Sequence, residues 1–391
     1  MTGTPEALGA LGSALGIQAV PIPAGESAAN TYFLVATGTD RGLLVPADSR
    51  RAAAASVLRL SNGQSALSKF GRGMFWGGTR MGALRWLTGK RFRLVGPDGS
   101  RPALLDHIAE VLGTPSLRFA FSLGPPRPNR KPVVQILEPT GQTVGFAKIG
   151  WNDLTTRLVS HEAEYLQAMP REAGSRIRAP EIVHHGRWHG LTLTILSALK
   201  PGIQATFRSP VPDTRVLLEI ASLGGRRRRQ GLGVSDLANS LLSRAQNIDH
   251  HSRAVAVEAA QGLIGRHEDV QVELGDWHGD FGPWNVAPAG QGRFNVWDWE
   301  RASGPQVVGM DLYHYHFQRE NLRGSTIETC IERSNQRTTA AITEIQGGDF
   351  PQELTGRLYL LERLLRYREP GAPQEASSLE AAITSRLRSS G

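Results

Sequence analysis

Residues 278–300 read HGDFGPWNVAPAGQGRFNVWDWE, a stretch in which Asp280, Asn285 and Asp298 place side-chain oxygens at a defined spacing. Asp280 lies five positions before Asn285, and Asp298 follows the strand-like segment 293–297. Such a set can accept a proton from a hydroxyl group and can supply oxygen ligands to Mg²⁺. The complete spacing is more specific than an isolated His-x-Asp motif. The stretch therefore predicts a loop with proton-transfer and metal-binding chemistry.

The same spacing is the one that kinases use for phosphoryl transfer. Their catalytic-loop Asp precedes a metal-binding Asn by five residues, and a second Asp opens the next segment. In that reaction a carboxylate accepts the proton of the attacking hydroxyl, and Mg²⁺ neutralises charge on the phosphates. Asp280, Asn285 and Asp298 match these requirements. The pattern favours an ATP- and Mg²⁺-dependent enzyme.

A kinase also needs a cation on the nucleotide phosphates and a carboxylate that orients it. Lys148 lies at the centre of the strand-like segment 143–150, where an ammonium group among apolar neighbours is costly without a partner. Glu162, on the helix predicted for 158–169, is the candidate partner. Glu164 lies two residues further on and faces another side of that helix. The alternative is an edge-strand lysine whose side chain reaches water.

Taken together, these motifs resemble the aminoglycoside phosphotransferase and choline kinase-like family. The resemblance extends from about Ser116 to the C-terminal helices. It depends on five segments: HGDFGPWN (278–285), VWDWE (296–300), GMDLYHY (309–315), AKIG around Lys148 and HEAEYLQAM (161–169). It implies a bilobal, protein-kinase-like α+β fold, with an antiparallel N-lobe and a mainly helical C-lobe.

The resemblance also implies individual roles. Asp280 would be the catalytic base, Asn285 and Asp298 the Mg²⁺ ligands, and Lys148 with Glu162 the pair that binds the nucleotide phosphates. Asp311 would support the loop from behind. The adenine of ATP, or the guanine of GTP, would contact the hinge near 196–199, including Leu196 and Ala198. His278, beside the base, is expected to fix the catalytic loop by hydrogen bonds rather than to transfer protons.

One loop departs from the pattern expected of a kinase. Residues 123–132 read LGPPRPNRKP, with one glycine and four prolines, where glycine-rich backbone often covers the phosphates. Proline offers no N–H group and is stiffer than glycine. Either the side chains of Arg127, Arg130 and Lys131 replace the backbone contacts, or the loop is a surface excursion.

The chain divides into three predicted regions. Residues 1–115 form an N-terminal α/β extension of unknown function, with a hairpin over 31–47, helices over 49–60 and 102–112, and a strand over 91–95. Residues 116–199 form the N-lobe, with strands over 116–124, 132–139, 143–150, 181–185 and 190–199. Residues 200–391 form the C-lobe.

The acceptor is expected to be a hydroxyl group of a small molecule. Only ERASGPQVVGM separates Trp299 from Asp311, where protein kinases place a long activation segment that docks peptides. A sugar, a nucleoside, an aminoglycoside-like compound or a cell-envelope metabolite all remain open. The balanced charge of residues 301–391 does not favour polycationic aminoglycosides over the others.

Composition limits the remaining possibilities. The 391 residues include a single cysteine, Cys330, and no apolar run long enough for a membrane span, so a cytoplasmic protein without membrane insertion is expected. The formal net charge is +8, and the basic run Arg226–Arg229 lies between glycines. We interpret that run as a solvated loop, which makes nucleic acid an unlikely partner. The sequence leaves the oligomeric state open.

Two other functions compete with the kinase. A catalytically silent kinase-fold protein would bind a ligand or a partner without turnover, and the proline-filled loop favours it. The intact set of Lys148, Glu162, Asp280, Asn285 and Asp298 favours an enzyme. Nucleic-acid binding through Arg226–Arg229 would show as steeply salt-dependent affinity.

Overall fold

The computed structural model describes residues 9, 12, 15–23, 30–36, 42–58, 79–80, 91–123, 129–199, 211–248, 250–368 and 377–388. The chain divides into two compact units. Unit 1 comprises residues 1–163 and 180–199, and unit 2 comprises residues 164–179 and 200–391. No helix among the described residues is long and apolar enough to cross a membrane.

Unit 1 is built on one antiparallel sheet that has nine strands within the described residues. In sheet order these are β1 (Gln18–Ile22), β4 (Arg91–Val95), β2 (Thr31–Ala36), β3 (Gly42–Pro46), β5 (Arg118–Leu123), β6 (Val133–Leu137), β7 (Thr143–Gly150), β10 (Leu191–Ser197) and β9 (Ile182–Trp188). All the strands predicted from the sequence in this part of the chain are present. Strands β2 and β3 form the predicted hairpin.

The sheet continues across position 115. Strand β3 pairs with β5, and Leu44 lies opposite Phe121. Both side chains are buried in a core that also includes Leu94 and Ile195. Residues 1–115 therefore contribute strands to the same sheet as residues 116–199, although the sequence alone indicates an extension to the N-lobe.

The helices of unit 1 include α1 (Arg50–Leu58), α2 (Ala103–Val111) and α3 (Asp153–Ala168), which begins in this unit. The Ser49 hydroxyl accepts the N–H group of Ala52 and caps α1, as its position before an alanine-rich run predicts. Helix α3 begins five residues before the predicted 158. The Thr155 N–H group donates to the Asn152 side chain at 2.8 Å, which stabilises this earlier start.

Unit 2 is mainly helical, as predicted. Within the described residues its helices are α4 (Thr214–Ser222), α5 (Asp236–Asn247), α6 (His250–Arg266), α7 (Met310–Asn321), α8 (Ile327–Gln346), α9 (Leu354–Arg368) and α10 (Ser377–Arg388). Two small sheets accompany them, in the orders β11 (Arg228–Gly231), β12 (Gln271–Trp277), β15 (Ser303–Val307), and β13 (Val286–Gly290), β14 (Arg293–Val296), β8 (Ile177–Arg178). Its core packs Leu274, Tyr313 and Phe317 against Leu361. The predicted α+β class, with an antiparallel sheet and a mainly helical C-terminal part, is confirmed.

Candidate active site

The loop 278–285 connects β12 with β13 in unit 2. Buried apolar residues of β12, including Leu274 and Trp277, fix its beginning in the core. Gly279 has φ +77°, and a Cβ at this position would overlap the carbonyl oxygen of Arg301. The close approach explains why glycine stands at the second position of the His-x-Asp motif.

Asp311, on α7, supports this loop from behind. Its Oδ2 accepts the N–H group of His278 at 2.7 Å, and its Oδ1 accepts the N–H group of Gly279 at 3.2 Å. Burial raises the pKa of Asp311 to about 7, and the two backbone donors oppose that rise. The geometry is the one expected from the sequence for Asp311.

His278 is fully buried and has partners at both ring nitrogens. Its Nε2 lies 3.0 Å from the carbonyl oxygen of Trp297, and its Nδ1 accepts the N–H group of Asp280 at 3.2 Å. Burial lowers the pKa of His278 to about 4, so the ring is neutral at pH 7. Both ring nitrogens of His278 are therefore engaged by backbone groups, those of Trp297 and Asp280.

Asp280 and Asn285 contact each other. The Asn285 amide nitrogen donates to the Asp280 carbonyl oxygen at 2.9 Å and to its side-chain Oδ2 at 3.0 Å. The Asp280 side chain is 28% exposed. Burial alone would raise the pKa of Asp280, but a hydrogen bond from His314 lowers it below its ordinary value. The carboxylate is therefore ionised at neutral pH.

Asp298 follows β14 and has a left-handed backbone conformation. Its φ is +68°, in the left-handed region that few residues other than glycine, asparagine and aspartate adopt readily. Strands β13 and β14 pair with Val286 opposite Val296, and the Trp297 N–H group donates to the Asn285 carbonyl oxygen at 3.1 Å. These bonds bring the backbone of Asn285 next to the residue that precedes Asp298.

The Lys148–Glu162 pair of unit 1 forms as predicted. Lys148 Nζ lies 2.6 Å from Glu162 Oε1 and 2.5 Å from Oε2, and Glu162 is fully buried. Lys148 is opposite Val133 of β6 and Thr194 of β10, so β7 is an interior strand and the edge-strand alternative is wrong. Glu164 is exposed.

Two other predictions concern the nucleotide: the hinge near 196–199 and the proline-rich loop 123–132. Leu196 is buried in β10, and the Ala198 N–H group donates to the Val144 carbonyl oxygen at 3.1 Å. A contact between this segment and a nucleotide base stays a prediction. Half of the proline-rich loop, residues 124–128 including Arg127, lies outside the described residues.

The basic run 226–229 differs from the expected solvated loop, because Arg228 and Arg229 lie in β11. Each arginine has a partner: Arg226 with Asp276 at 3.0 Å, Arg227 with Glu273 at 2.6 Å, Arg228 with Asp236, and Arg229 with the Gln346 carbonyl oxygen. Acidic residues of β12 thus compensate part of the charge. The run belongs to the fold of unit 2.

Sequence reasoning did not indicate His314 as a neighbour of the candidate base, because 34 residues separate it from Asp280. The structure brings His314 Nε2 to 3.1 Å from Asp280 Oδ1. The available signal was helical spacing: His314 lies three positions after Asp311, on the same side of α7.

Arg366 of α9 is a second residue that the sequence did not indicate. Its Nη1 donates to the Gly279 carbonyl oxygen at 2.7 Å, and its guanidinium lies 4.5 Å from the centre of the Trp277 ring. Glu362, almost completely buried, accepts from Arg366 at 2.8 Å and from Arg244 at 2.6 Å. Helix α9 therefore fixes the same loop from another side.

No family model and no curated protein matches the sequence. The similar solved structures include the aminoglycoside phosphotransferase APH(4)-Ia in a ternary complex with ADP and hygromycin B, at 16% identity over 73% of this chain and 96% of that chain, with a TM-score of 0.47.

Two further similar structures have lower TM-scores. The streptomycin–ATP complex of APH(2'')-IIa is 10% identical over 73% of this chain and 95% of that chain, with a TM-score of 0.43. A protein described as a fructosamine-3-kinase from Haemophilus somnus 129PT is 13% identical over 73% of this chain and 96% of that chain, with a TM-score of 0.37. At such identities the chemistry must be inferred from the residues of this chain.

Proposed function

We propose that this chain is a phosphotransferase that moves the γ-phosphoryl group of ATP or GTP to an alcohol group of a small molecule. The observation that supports it most is the environment of Asp280. Its carboxylate is partly exposed, while Asp311 and His278 fix the backbone around it. A base fixed in this way, yet accessible, suits removal of a proton from an acceptor.

In the proposed reaction, Asp280 accepts the proton of the acceptor hydroxyl. The oxygen of that hydroxyl forms a bond to the γ-phosphorus as the bond between this phosphorus and the nucleoside diphosphate oxygen breaks. The lowered pKa of Asp280 means that the carboxylate carries no proton of its own at neutral pH before the reaction.

Asn285 and Asp298 fit a magnesium ion by their chemistry. Both donor bonds of the Asn285 amide nitrogen are directed to Asp280, which leaves the amide oxygen as the atom for a cation. Asp298 adds a carboxylate, and Mg²⁺ prefers such oxygen ligands. When bound, the ion would neutralise charge on the nucleotide phosphates.

Lys148 is the residue that we assign to the phosphates of the nucleotide. An ammonium group acts on phosphate as a compact positive charge. Its contacts with both oxygens of Glu162 fix the direction of the side chain, and burial of the pair keeps competing water away. Lys148→Met is expected to raise the KM for the nucleotide and to lower kcat.

The acceptor remains defined by class only. The short segment between Trp299 and Asp311 favours a small alcohol over a protein chain, and sugars, nucleosides, aminoglycosides and cell-envelope metabolites are the candidates. A cytoplasmic location would supply the nucleotide. One cysteine in the chain agrees with a reducing compartment.

Thermal unfolding with ATP and GTP, each with and without Mg²⁺, tests the nucleotide part of the proposal. A ligand that binds only the folded chain must raise the unfolding midpoint. We expect a Mg²⁺-dependent rise of the unfolding midpoint. Asp298→Asn should reduce this rise, whereas Asp269→Asn, the control at an exposed position, should leave it unchanged. No rise at millimolar nucleotide would contradict the proposal. A rise without turnover of any acceptor would favour the catalytically silent alternative.

A further inference from the structure

His314 occupies an unusual position for a buried histidine. It lies on α7 and is 1% exposed, and each ring nitrogen has a polar partner. Its Nε2 is 3.1 Å from Asp280 Oδ1, and its Nδ1 is 3.0 Å from the Tyr359 hydroxyl of α9. The ring therefore connects α9 to the candidate base through two consecutive hydrogen bonds.

The chemistry of the partners determines the direction of both bonds. An ionised carboxylate can only accept, so His314 Nε2 must carry the proton and donate to Asp280. Burial lowers the pKa of His314 and raises the pKa of Tyr359, so the ring is neutral and the phenol keeps its proton. Tyr359 then donates to His314 Nδ1.

These bonds restrict how the Asp280 carboxylate can turn. His314 donates to Oδ1, while Asn285 donates to Oδ2 at 3.0 Å. Because the two donors bind different oxygens, they fix the rotation of the carboxylate about its Cβ–Cγ bond. Each oxygen has a second lone pair, and the side chain is 28% exposed, so the carboxylate can still accept a proton.

A purely space-filling role would not require this arrangement. A leucine or phenylalanine could occupy an apolar space, but it would offer no donor to Asp280 and no acceptor to Tyr359. His316, two residues away on the same helix, provides a contrast: it is also buried, and its Nδ1 has no hydrogen-bond partner.

We propose that His314, oriented by Tyr359, is a positioning residue that fixes the Asp280 carboxylate in the orientation needed to accept the hydroxyl proton. This inference rests on the proposed phosphotransferase function. Correct orientation of a base governs turnover more than substrate binding, because it affects the geometry of the transition state. His314 itself exchanges no proton with the substrate.

The test compares steady-state turnover of Mg·ATP by the full chain and its variants, measured as phosphate release with water as the acceptor. We expect His314→Leu to lower kcat by roughly 10- to 100-fold, with the KM for Mg·ATP within about twofold of the original. His314→Gln should restore most of the lost rate, because its Nε2 amide can donate from nearly the same place. Tyr359→Phe should have a smaller effect, since it leaves the His314 ring in place.

His316→Leu is the matched control, a buried histidine of the same helix that does not contact Asp280. It is expected to keep the original kcat, even if thermal unfolding shifts. The inference is overturned if folded His314→Leu keeps the original kcat, or if His314→Gln is as slow as His314→Leu. It is also overturned if the loss of rate in all three histidine variants only matches their loss of folded protein. No turnover by the unmodified chain, with water or any tested alcohol, would overturn the phosphotransferase proposal and this inference together.

Discussion

Asp280 is the side chain on which the proposed reaction depends most. Its hydrogen-bond partners lie in two places: Asn285 and His278 in the same loop, and His314 on α7. The first two could be predicted, because the motif itself gives their spacing. The third is indicated only indirectly, by its helical spacing from Asp311, because 34 residues separate it from Asp280 and the packing of α7 brings them together.

Asp280→Asn is expected to reduce the rate of phosphoryl transfer by roughly 100- to 10,000-fold, because an amide cannot take up the proton of the substrate hydroxyl as a carboxylate does. Nucleotide affinity should change little, since Asp280 is assigned to the acceptor. Rate measurements together with nucleotide titrations separate the two effects. Asp269→Asn removes the same charge from an exposed position and serves as the control. Turnover by Asp280→Asn at the original rate would remove Asp280 from the mechanism.

Gly279 allows a test of the backbone at the loop. Gly279 and Gly99 both have positive φ, +77° and +80°, but a Cβ at Gly99 would meet open space whereas one at Gly279 would overlap Arg301. Gly99→Ala should therefore cost about 1–2 kcal/mol through backbone conformation alone. Gly279→Ala should destabilise the fold more, and should also lower kcat. If denaturant unfolding shows equal losses of unfolding free energy for Gly99→Ala and Gly279→Ala, the close approach of Gly279 to Arg301 is unimportant.

Helices α7 and α8 are joined by a buried carboxylate with three cationic partners. Glu320 contacts Arg323 and Arg333, each at 2.6 Å, and also Arg337. Burial alone would raise the pKa of Glu320, but hydrogen bonds from Arg333 and Arg337 outweigh it and lower the pKa to about 2. The helical periodicity of α8 does not predict the contacts of Arg333 and Arg337 with Glu320, because Glu320 lies in a different helix.

Glu320→Gln should lower the free energy of unfolding at pH 7 by roughly 1.5–3 kcal/mol, the usual contribution of hydrogen bonds to a charged group. Because the pKa of Glu320 is lower in the folded state, its ionisation stabilises the fold at pH values above the ordinary pKa of 4.5. This stabilisation is lost as the pH falls toward about 2. The difference between Glu320→Gln and the original chain should therefore shrink over that interval. The exposed Glu332→Gln is the control. A difference that stays constant from pH 7 to 2 would contradict this assignment.

The arrangement of strands in unit 1 was only partly predictable from the sequence. Local patterns gave the strands and the hairpin of β2 and β3, because turns and alternating apolar residues are short-range signals. They could not give the pairing of β3 with β5, which joins residues about 80 positions apart, such as Leu44 and Phe121. The sequence alone therefore predicts residues 1–115 as an extension, although their strands complete the sheet.

Removal of residues 1–115 tests this continuity. The shortened chain would lose strands β1 to β4 and expose one side of β5, together with apolar residues such as Phe119 and Phe121 that pack in the shared core. Unpaired strand edges with apolar neighbours favour aggregation. We expect poor solubility or lost cooperative unfolding, measured by size-exclusion chromatography and thermal unfolding. A soluble, monomeric chain 116–391 with the original unfolding midpoint would contradict this expectation.

The most direct test of the central claim is ³¹P NMR of Mg·ATP and Mg·GTP incubated with the purified chain and a panel of alcohols, with Asp280→Asn alongside. The expected result is conversion of one nucleotide to its diphosphate by the original chain, with the phosphate on an alcohol or on water, and a rate reduced at least roughly 100-fold in Asp280→Asn. Nucleotides left unchanged by the original chain, or consumed equally by both proteins, would contradict a phosphotransferase with Asp280 as its base.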